Sequence, residues 1–591
     1  MYKNNLFNTQ TAIPEQDLLR VYICGPTVYN SSHLGHARTY ITFDIIRNIL
    51  AKVFNKTVIY QLNITDIDDK IINRSNEMKI PFTDLVKQNE DAFFKDLQDL
   101  NINPPSVITR VTEFVPEIIE FIKKIIDNNF AYQSNGSVYF DVQAFQAAGF
   151  TYPKLRIFDN SNQVEANNAA DGASMKNRTE EKRSPFDFAL WKAAKPDEPF
   201  WESEFGRGRP GWHIECSVMS QQVLLNKFDG FDLHLGGKDL QFPHHANEIA
   251  QLEAFLGKEV LDTQFCGNCI QGFMHSGHLR IENEIMSKSK MNFKTIQDVL
   301  ENYSANQIRI LFLHVPYASD INYTLVQLDN AVSIESKIRS FFQNVQVFKQ
   351  SQKGYAQMKG SDYELLKQLI AVKSSVLSAF KADFDYPSVL KQLLQFLDTI
   401  KQYLHGTPHI LPLSQSVEFL KANFEILGLK IENQGQNDQF EIVRVLAKFR
   451  QDVKAQSLQN GQILALCDDL RDNQLPNLGF LIEDAAEITI KQIDASQYKV
   501  DRQRELLEKQ AKTDRQNEFN RQKQLKLDAE RLLAAEKAEE MFKNDESYGD
   551  FDERGIPQKV NGEEIAKSRG KKLVKEWEAR KKLNEKYFGK E

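Results

Sequence analysis

The chain is poor in the features that mark secreted, membrane-embedded or wholly nucleic-acid-coating proteins. Five cysteines in 591 residues (Cys24, Cys216, Cys266, Cys269, Cys467) are too few for a disulfide framework, so a reducing compartment with free or metal-bound thiols is expected. No apolar run approaches the ~20 residues of a membrane span. The first residues, MYKNNLFNTQTAIPEQ, carry no apolar signal core, no arginine-rich amphipathic pattern and no lipidation signal. A cytoplasmic protein without a membrane partner is the expectation. Positive charge is lacking too: the formal net charge is −7, so any nucleic-acid role must come from local patches. Charge is segregated, because Lys567–Glu591 holds ten Lys/Arg against four Asp/Glu, a balance of +6 that leaves −13 for the rest.

With 41% hydrophobic and 26% charged residues the composition is that of an ordinary soluble protein, and about 150 residues per domain gives roughly three or four domains. Residues 18–64 read strand, helix, strand: LLRVYIC, then Ala37–Phe54 with apolar residues at helical spacing, then TVIYQLNIT. That is a βαβ unit, so the fold class is α/β, with a Rossmann-type parallel sheet as the core. Helices are expected over Phe82–Leu100 and Val115–Asn129, and a short strand at SVYFDV. The polar, Asn- and Ala-rich passage Asn160–Arg183 reads as a loop or insertion. From about residue 326 to about 490 the pattern is helical, as a bundle. Beyond Tyr498 a Lys/Glu/Gln/Arg-dense run is too polar for a core helix and reads as a solvated helix or arm.

The stretch Cys24–His36, CGPTVYNSSHLGH, joins the first strand to the first helix. A helix start offers unpaired N–H groups and a positive dipole end to an anion; Gly35 admits a ligand to the backbone, and His33 and His36 can donate to phosphate oxygens. The plain alternative is a capping turn with two surface histidines. Asn63–Lys70 (NITDIDDK) puts carboxylates at a strand's C-terminal end, where they could meet an amine or a metal, or form a solvated turn. His244 and Glu248 stand four apart on a predicted helix opened by Pro243. Together with Cys24 and Cys216 they would suit Zn²⁺; spacing alone does not show that the cysteines converge, and His234 and His245 are rival ligands. Cys266-Gly-Asn-Cys269 is half a zinc knuckle with no second half, and Cys467 reads as core. Met286-Ser-Lys-Ser289 puts Lys288 in a polar loop, as a cation for a departing pyrophosphate or simply a surface turn.

In combination these motifs resemble the cysteinyl-tRNA synthetase family, class I aminoacyl-tRNA synthetases, of eukaryotic cytosolic type. His33-Leu-Gly-His36 is similar to the HIGH motif of the class and Ile285–Ser289 to KMSKS. More specific are CGPTVY at 24–29, TDIDDKI at 65–71, GRPGWHIECS at 208–217, FPHH at 242–245 and MHSGHL at 274–279. AFKADFDYP (379–387) is similar to the anticodon-side helical domain, and the tail with FDERGIP and GEEIAKSRGKKL to the eukaryotic extension.

The resemblance implies a catalytic domain over 1–325 (insertion roughly 130–205, KMSKS-like loop 285–289), a helical anticodon-side domain over 326–498 and a charged extension over 499–591. It implies ligation of L-cysteine to tRNA(Cys) through a cysteinyl-adenylate, with ATP, Mg²⁺ and one Zn²⁺ per chain held by Cys24, Cys216, His244 and Glu248. The metal would take the substrate's thiol as thiolate, so serine is rejected without an editing domain. His33, Gly35 and His36 would serve the α-phosphate and Lys288 the β,γ-phosphates; Gly25, Thr65, Trp212 and Asp239 would line the amino-acid site, with Trp212 as a wall and Thr65 and Asp239 toward the amine. Two positions depart from the family: Ile285 replaces the first lysine of KMSKS, and Ala246 an acidic residue beside the metal histidine. A relative that joins cysteine to an amino-sugar would not need the helices after 326 or the basic tail, and a non-catalytic zinc- or RNA-binding relative would not need intact His33, His36 and Lys288.

Overall fold

The structure, a computed structural model, describes residues 1–155, 181–224, 230–257, 270–281, 284–285, 294–351, 357–431, 443, 446–451, 453–454, 461–483, 489–493 and 495–589. The chain divides into two compact units, Met1–Gln436 and Asn437–Glu591.

In the first unit, β1 (Leu18–Ile23) leads through α1 (Leu34–Lys52) to β2 (Thr57–Ile64), and α2 (Asp69–Met78) and α3 (Phe82–Asp99) lead to β3 (Val107–Arg110). After α4 (Val115–Asp127) comes an antiparallel sheet of β4 (Ala131–Ser134), β5 (Ser137–Phe140), β6 (Phe188–Ala193) and β7 (Gly208–Pro210), in that order. Then α5 (Ile214–Leu224), β8 (Phe231–Gly237), α6 (Ala246–Leu256) and β9 (Ile270–Ser276) return to the first sheet. That sheet runs β9-β8-β1-β2-β3 with every pairing parallel. Parallel strands are covered on both faces, which is why LLRVYI and TVIYQLNI read as apolar runs rather than as an alternation with polar residues.

Side chains still alternate between the faces. Leu19, Val21 and Ile23 of β1 face the core that holds α1, whereas Tyr22 and Cys24 face the core of α4, α5, α6 and the antiparallel sheet. Helix α1 is buried nearly all round, so it carries charge inside: Arg38 donates to the Phe312, Pro316 and Tyr317 carbonyls, and Asp44 accepts from Arg309 at 2.6 Å. The helices Leu325–Ser351, Gly360–Lys381, Tyr386–Leu404 and Ile410–Ile426 extend the α1-side core, so sheet and helices share one continuous apolar cluster.

The second unit holds a hairpin, Phe480–Glu483 with Thr489–Gln492, where the sequence pattern reads as helix; Phe480, Ile482, Thr489 and Ile490 are aromatic or β-branched residues suited to strands, and Gly479 turns the chain at φ 87°. A long helix, Ala495–Ala534, is exposed over most of its described side chains. The C-terminal helix Lys567–Phe588 is not a free arm: its Leu573 and Trp577 close a small core with Ala538, Phe542 and Ile556. Among the described residues no helix is long and apolar enough to cross a membrane.

Candidate metal and nucleotide site

The strand order reverses between β1 and β8: successive strands leave β1 toward β2 and β3 on one side, and β8 and β9 lie on the other. Ligands of parallel α/β sheets bind at the C-terminal ends of the strands beside such a switch. Cys24 follows β1 there and donates its N–H to Leu235 O at 3.2 Å, across to β8. Gly25 must be glycine, since a Cβ would fall 1.5 Å from the Asn63 carbonyl oxygen; its N–H donates to Asn63 Oδ1 at 2.7 Å.

Onto this edge α5 brings Cys216. His244 precedes α6, in a turn over Gln241–His245 broken at Phe242 (φ −141°, ψ 133°). The i, i+4 expectation holds across that turn, with His244 Nε2 3.1 Å from Glu248 Oε1. Cys24 Sγ lies 3.9 Å from Cys216 Sγ and 3.8 Å from Glu248 Oε1. Cys24, Cys216, His244 and Glu248, all buried, have their ligand atoms within 4.8 Å of one another, a set that could hold a metal. Cys24, His234, His245 and Glu248 satisfy the same condition, with Cys24 Sγ 3.3 Å from His245 Nε2 and His234 Nε2 3.2 Å from Glu248 Oε2. A tetrahedral zinc site has ligand–ligand edges of roughly 3.3–3.8 Å, so both sets fit in size. Chemistry separates them. The first offers two sulfurs, the softer donor set, and its His244 ring packs 4.5 Å from Trp212, which is half-buried and so borders solvent.

The cluster's electrostatics are those of a closed donor set. Burial raises the Cys24 thiol, and sharing its proton with Cys216 raises it further. Burial, the largest effect, also raises Cys216, but the hydrogen bond from Cys24 together with the charge and hydrogen bond of His244 outweighs it and holds the thiol at about 6. His244 is lowered by burial yet ends raised, because Cys216 and Glu248 favour its cation. Two residues the sequence reading passed over complete the surroundings: His213 Nδ1 lies 3.0 Å from His244 Nδ1, and His275 Nε2 2.8 Å from His245 Nδ1. Burial keeps His213 and His275 neutral, the latter pushed down to about 3. Their signal was their presence in GRPGWHIECS and MHSGHL; nothing local said they back metal-ligand candidates.

His33 is the N-cap of α1, and the two histidines cap each other's backbone. His36 N–H donates to His33 Nδ1 and His33 N–H to His36 Nδ1, both at 3.3 Å, with the rings stacked 3.8 Å apart. Both Nδ1 atoms are thereby acceptors, so the proton of each neutral ring sits on Nε2. Burial and the neighbouring His33 push His36 down to about 3, so it stays neutral. The backbone of Lys294–Ile296 is fixed here: Leu34 N–H donates to Lys294 O at 3.1 Å, and Ile296 N–H to Ser32 O at 3.2 Å. Lys288, Cys266, Cys269 and most of Asn160–Arg183 lie outside the described residues; for Ile285 only the backbone, in the strand Glu284–Ile285, is described.

Thr65 is buried beside the cluster and donates its hydroxyl to Glu215 Oε2 at 3.0 Å. Burial, with Cys216 and Asp68 nearby, raises the Glu215 carboxyl. Asp239 is exposed in the turn after β8, close enough to His244 to favour its cation. Trp212 is also approached by Lys70, 5.8 Å from its ring. The carboxylates of TDIDDK form neither a metal site nor a solvated turn. Asp66 accepts from Thr112 N–H and Oγ1 at 3.0 and 2.5 Å, Asp68 caps α2, and buried Asp69 pairs with Arg209 and, at 3.3 Å, with Lys192. These partners come from β6, β7 and the turn after β3, too far along the chain for local reading. Cys467 is buried, as expected of a core thiol.

The family described as tRNA synthetases class I (C) catalytic domain matches residues 10–333 of this chain. The cytoplasmic cysteine–tRNA ligase of Dictyostelium discoideum is 38% identical over 593 residues, covering 96% of this chain and 88% of that protein. The cysteine–tRNA ligase of Encephalitozoon cuniculi is 37% identical over 480 residues, 80% of this chain and 94% of that one. The cytoplasmic cysteine–tRNA ligase of Mus musculus is 32% identical over 728 residues, 100% of this chain and 85% of that one.

Proposed function

Because the chain belongs to the class I cysteinyl-tRNA synthetases, we propose that it ligates L-cysteine to tRNA(Cys) with ATP and Mg²⁺, at the switch point between β1 and β8. The observation that carries this is the meeting of two thiols, an imidazole and a carboxylate nine residues from a helix start crowned by two stacked imidazoles. The cysteine carboxylate attacks the α-phosphorus and pyrophosphate leaves. A terminal ribose hydroxyl of the tRNA then attacks the adenylate's carbonyl carbon and AMP leaves. No covalent enzyme intermediate is needed; positioning and charge stabilisation do the work.

We assign Cys24, Cys216, His244 and Glu248 as ligands of one Zn²⁺ per chain. When bound, Zn²⁺ supplies a Lewis acid that takes the substrate thiol as thiolate, a match that serine's hydroxyl cannot make. His213, neutral, accepts from His244 Nδ1–H and so leaves His244 Nε2 free to ligate. The Nε2–H groups of His33 and His36 donate to the α-phosphate oxygens, and Gly35 leaves the backbone open to them. Lys288 follows charge onto the departing pyrophosphate. Trp212 walls the amino-acid pocket, Gly25 leaves room at its base, and Thr65 and Asp239 receive the ammonium. The tRNA is held on the anticodon side by the helices of 326–498 and contacted by the charged extension of 499–591. The same reading puts the enzyme in the cytoplasm, the compartment in the name of the Dictyostelium relative.

Amino-acid-dependent ATP–pyrophosphate exchange with purified protein tests the proposal. Cysteine supports exchange and serine does not; equal signals from both would refute thiol selection by the metal.

A further inference from the structure

Lys70, the second residue of α2, is exposed, and its ammonium nitrogen stands 5.7 Å from the centre of the Tyr29 ring and 5.8 Å from that of the Trp212 ring. Both distances are within the reach of a cation–π attraction, which holds a charge near a ring without neutralising it. Among the described residues the Lys70 side chain forms no ion pair; only its backbone N–H is engaged, donating to Asp68 Oδ1 at 2.9 Å in the cap of α2. Other cations around the site are committed: Lys192 and Arg209 to Asp69, Lys238 to Asp320, and Arg38 to carbonyl oxygens.

The two rings belong to the two ends of the site. Tyr29 lies in the Cys24–His36 stretch, four residues before the N-cap His33, and the Trp212 ring packs 4.5 Å from that of His244 in the donor set. Lys70 stands where those ends meet. Cysteine is short, so with its sulfur at the donor set its carboxylate must lie between the metal ligands and the two imidazoles, and there the residues assigned so far offer it no counter-charge. A lysine ammonium on a flexible four-carbon stem, with three donors, can reach inward from its rings to supply one. We infer that Lys70 binds the α-carboxylate of cysteine, pairing with one oxygen and leaving the other to attack the α-phosphorus, while Tyr29 and Trp212 keep the ammonium at the mouth of the pocket. This rests on the reading of the amino-acid site under the proposed function. It adds a second selection to that of the thiol, against aminothiols that lack a carboxylate.

The test compares calorimetric binding of cysteine and of cysteamine, which keeps the thiol and the amine but has no carboxylate, to the zinc-loaded full chain, and adds cysteine-dependent ATP–pyrophosphate exchange. Lys70→Met keeps an apolar stem against the rings and removes the charge. Its Kd for cysteine rises about 5- to 30-fold, while the Kd for cysteamine and the KM for ATP stay within about threefold and zinc content is unchanged. Lys70→Arg keeps a cation and recovers most of the loss. An unchanged cysteine Kd in Lys70→Met would overturn the inference. So would equal weakening of both ligands, which makes Lys70 a support for the Trp212 wall, or a loss that falls on the KM for ATP, which makes it a phosphate contact. If Lys70→Met does not fold, Lys70→Gln decides by the same readings. Wild-type protein without cysteine-dependent exchange would refute the proposed function itself, whereas wild-type exchange with a cysteine Kd indifferent to the Lys70 charge sinks this inference alone.

Discussion

Two overlapping donor sets meet at Cys24 and Glu248, and substitutions at unshared positions separate them. In the assigned set Cys216 is a ligand and His245 is not; in the rival set the roles reverse. Structural zinc is bound by about 10–16 kcal/mol, or about 2.5–4 kcal/mol for each of four ligands, so losing one ligand weakens binding by roughly 10²–10³-fold. Cys216→Ser should show that loss, because it also removes the partner that shares the Cys24 proton at 3.9 Å. His245→Gln removes a ring 3.3 Å from Cys24 Sγ and the hydrogen bond to His275; as a neighbour of the ligands it should cost about 10- to 100-fold at most. Zinc affinity, measured by dialysis against a series of zinc buffers with metal analysis of the protein, should fall in the order wild type, His245→Gln, Cys216→Ser. Wild-type affinity in Cys216→Ser, together with a loss of about 10²-fold or more in His245→Gln or His234→Gln, would refute the assignment and move the metal one histidine deeper.

Three other perturbations follow from the geometry. Folded His36 takes its proton only near pH 3, whereas the unfolded residue titrates near 6.5; between those values the unfolded state binds more protons, so stability falls as pH drops through the window, by at most about 2 kcal/mol at pH 5. Urea unfolding of wild type and His36→Asn at pH 5 and 7.5 should show this as a difference between the two proteins that changes with pH; a pH-independent difference refutes it. Asp69→Ala leaves the buried Lys192 and Arg209 without their shared carboxylate, a loss of about 3–5 kcal/mol, and a change below about 1 kcal/mol in thermal or urea unfolding would deny the pair its structural role. Replacing the exposed Lys571, Lys572, Lys575 and Lys582 by Gln keeps Leu573 and Trp577 in their core and should flatten the slope of log tRNA affinity against log salt by up to about 3–4; an unchanged slope excludes phosphate contacts there.

Local chemistry made the first βαβ unit legible, because a parallel strand must be apolar on both faces and LLRVYI and TVIYQLNI are. It also made His244 and Glu248 legible, since four residues of helix-like backbone bring them together even across the break at Phe242. The convergence of Cys24 and Cys216 was not legible from spacing, because they are 192 positions apart and only the return of α5 to the sheet joins them. The TDIDDK carboxylates show the converse. Their composition proposed ligand chemistry, yet Asp69 finds Arg209 140 residues away and becomes structural. The Glu215 hydrogen bond was invisible for the same reason, since its partner is the Thr65 hydroxyl just beyond β2, 150 positions away.

These placements bear on why thiol recognition and phosphate chemistry share one strand–turn–helix. The stretch Cys24–His33 is fixed at both ends: Gly25 is locked against Asn63 with no room for a Cβ, and the His33–Leu34 backbone is bonded to Lys294 and bridged to Thr295. A shift of the turn at Gly25 would therefore move Cys24, the two imidazoles and the backbone at Lys294 together while changing their distance to Cys216, His244 and Glu248. The relay from Gly25 through Asn63 and Thr65 to Glu215 opposes that one displacement, because it bonds the turn directly to the helix that brings the second cysteine.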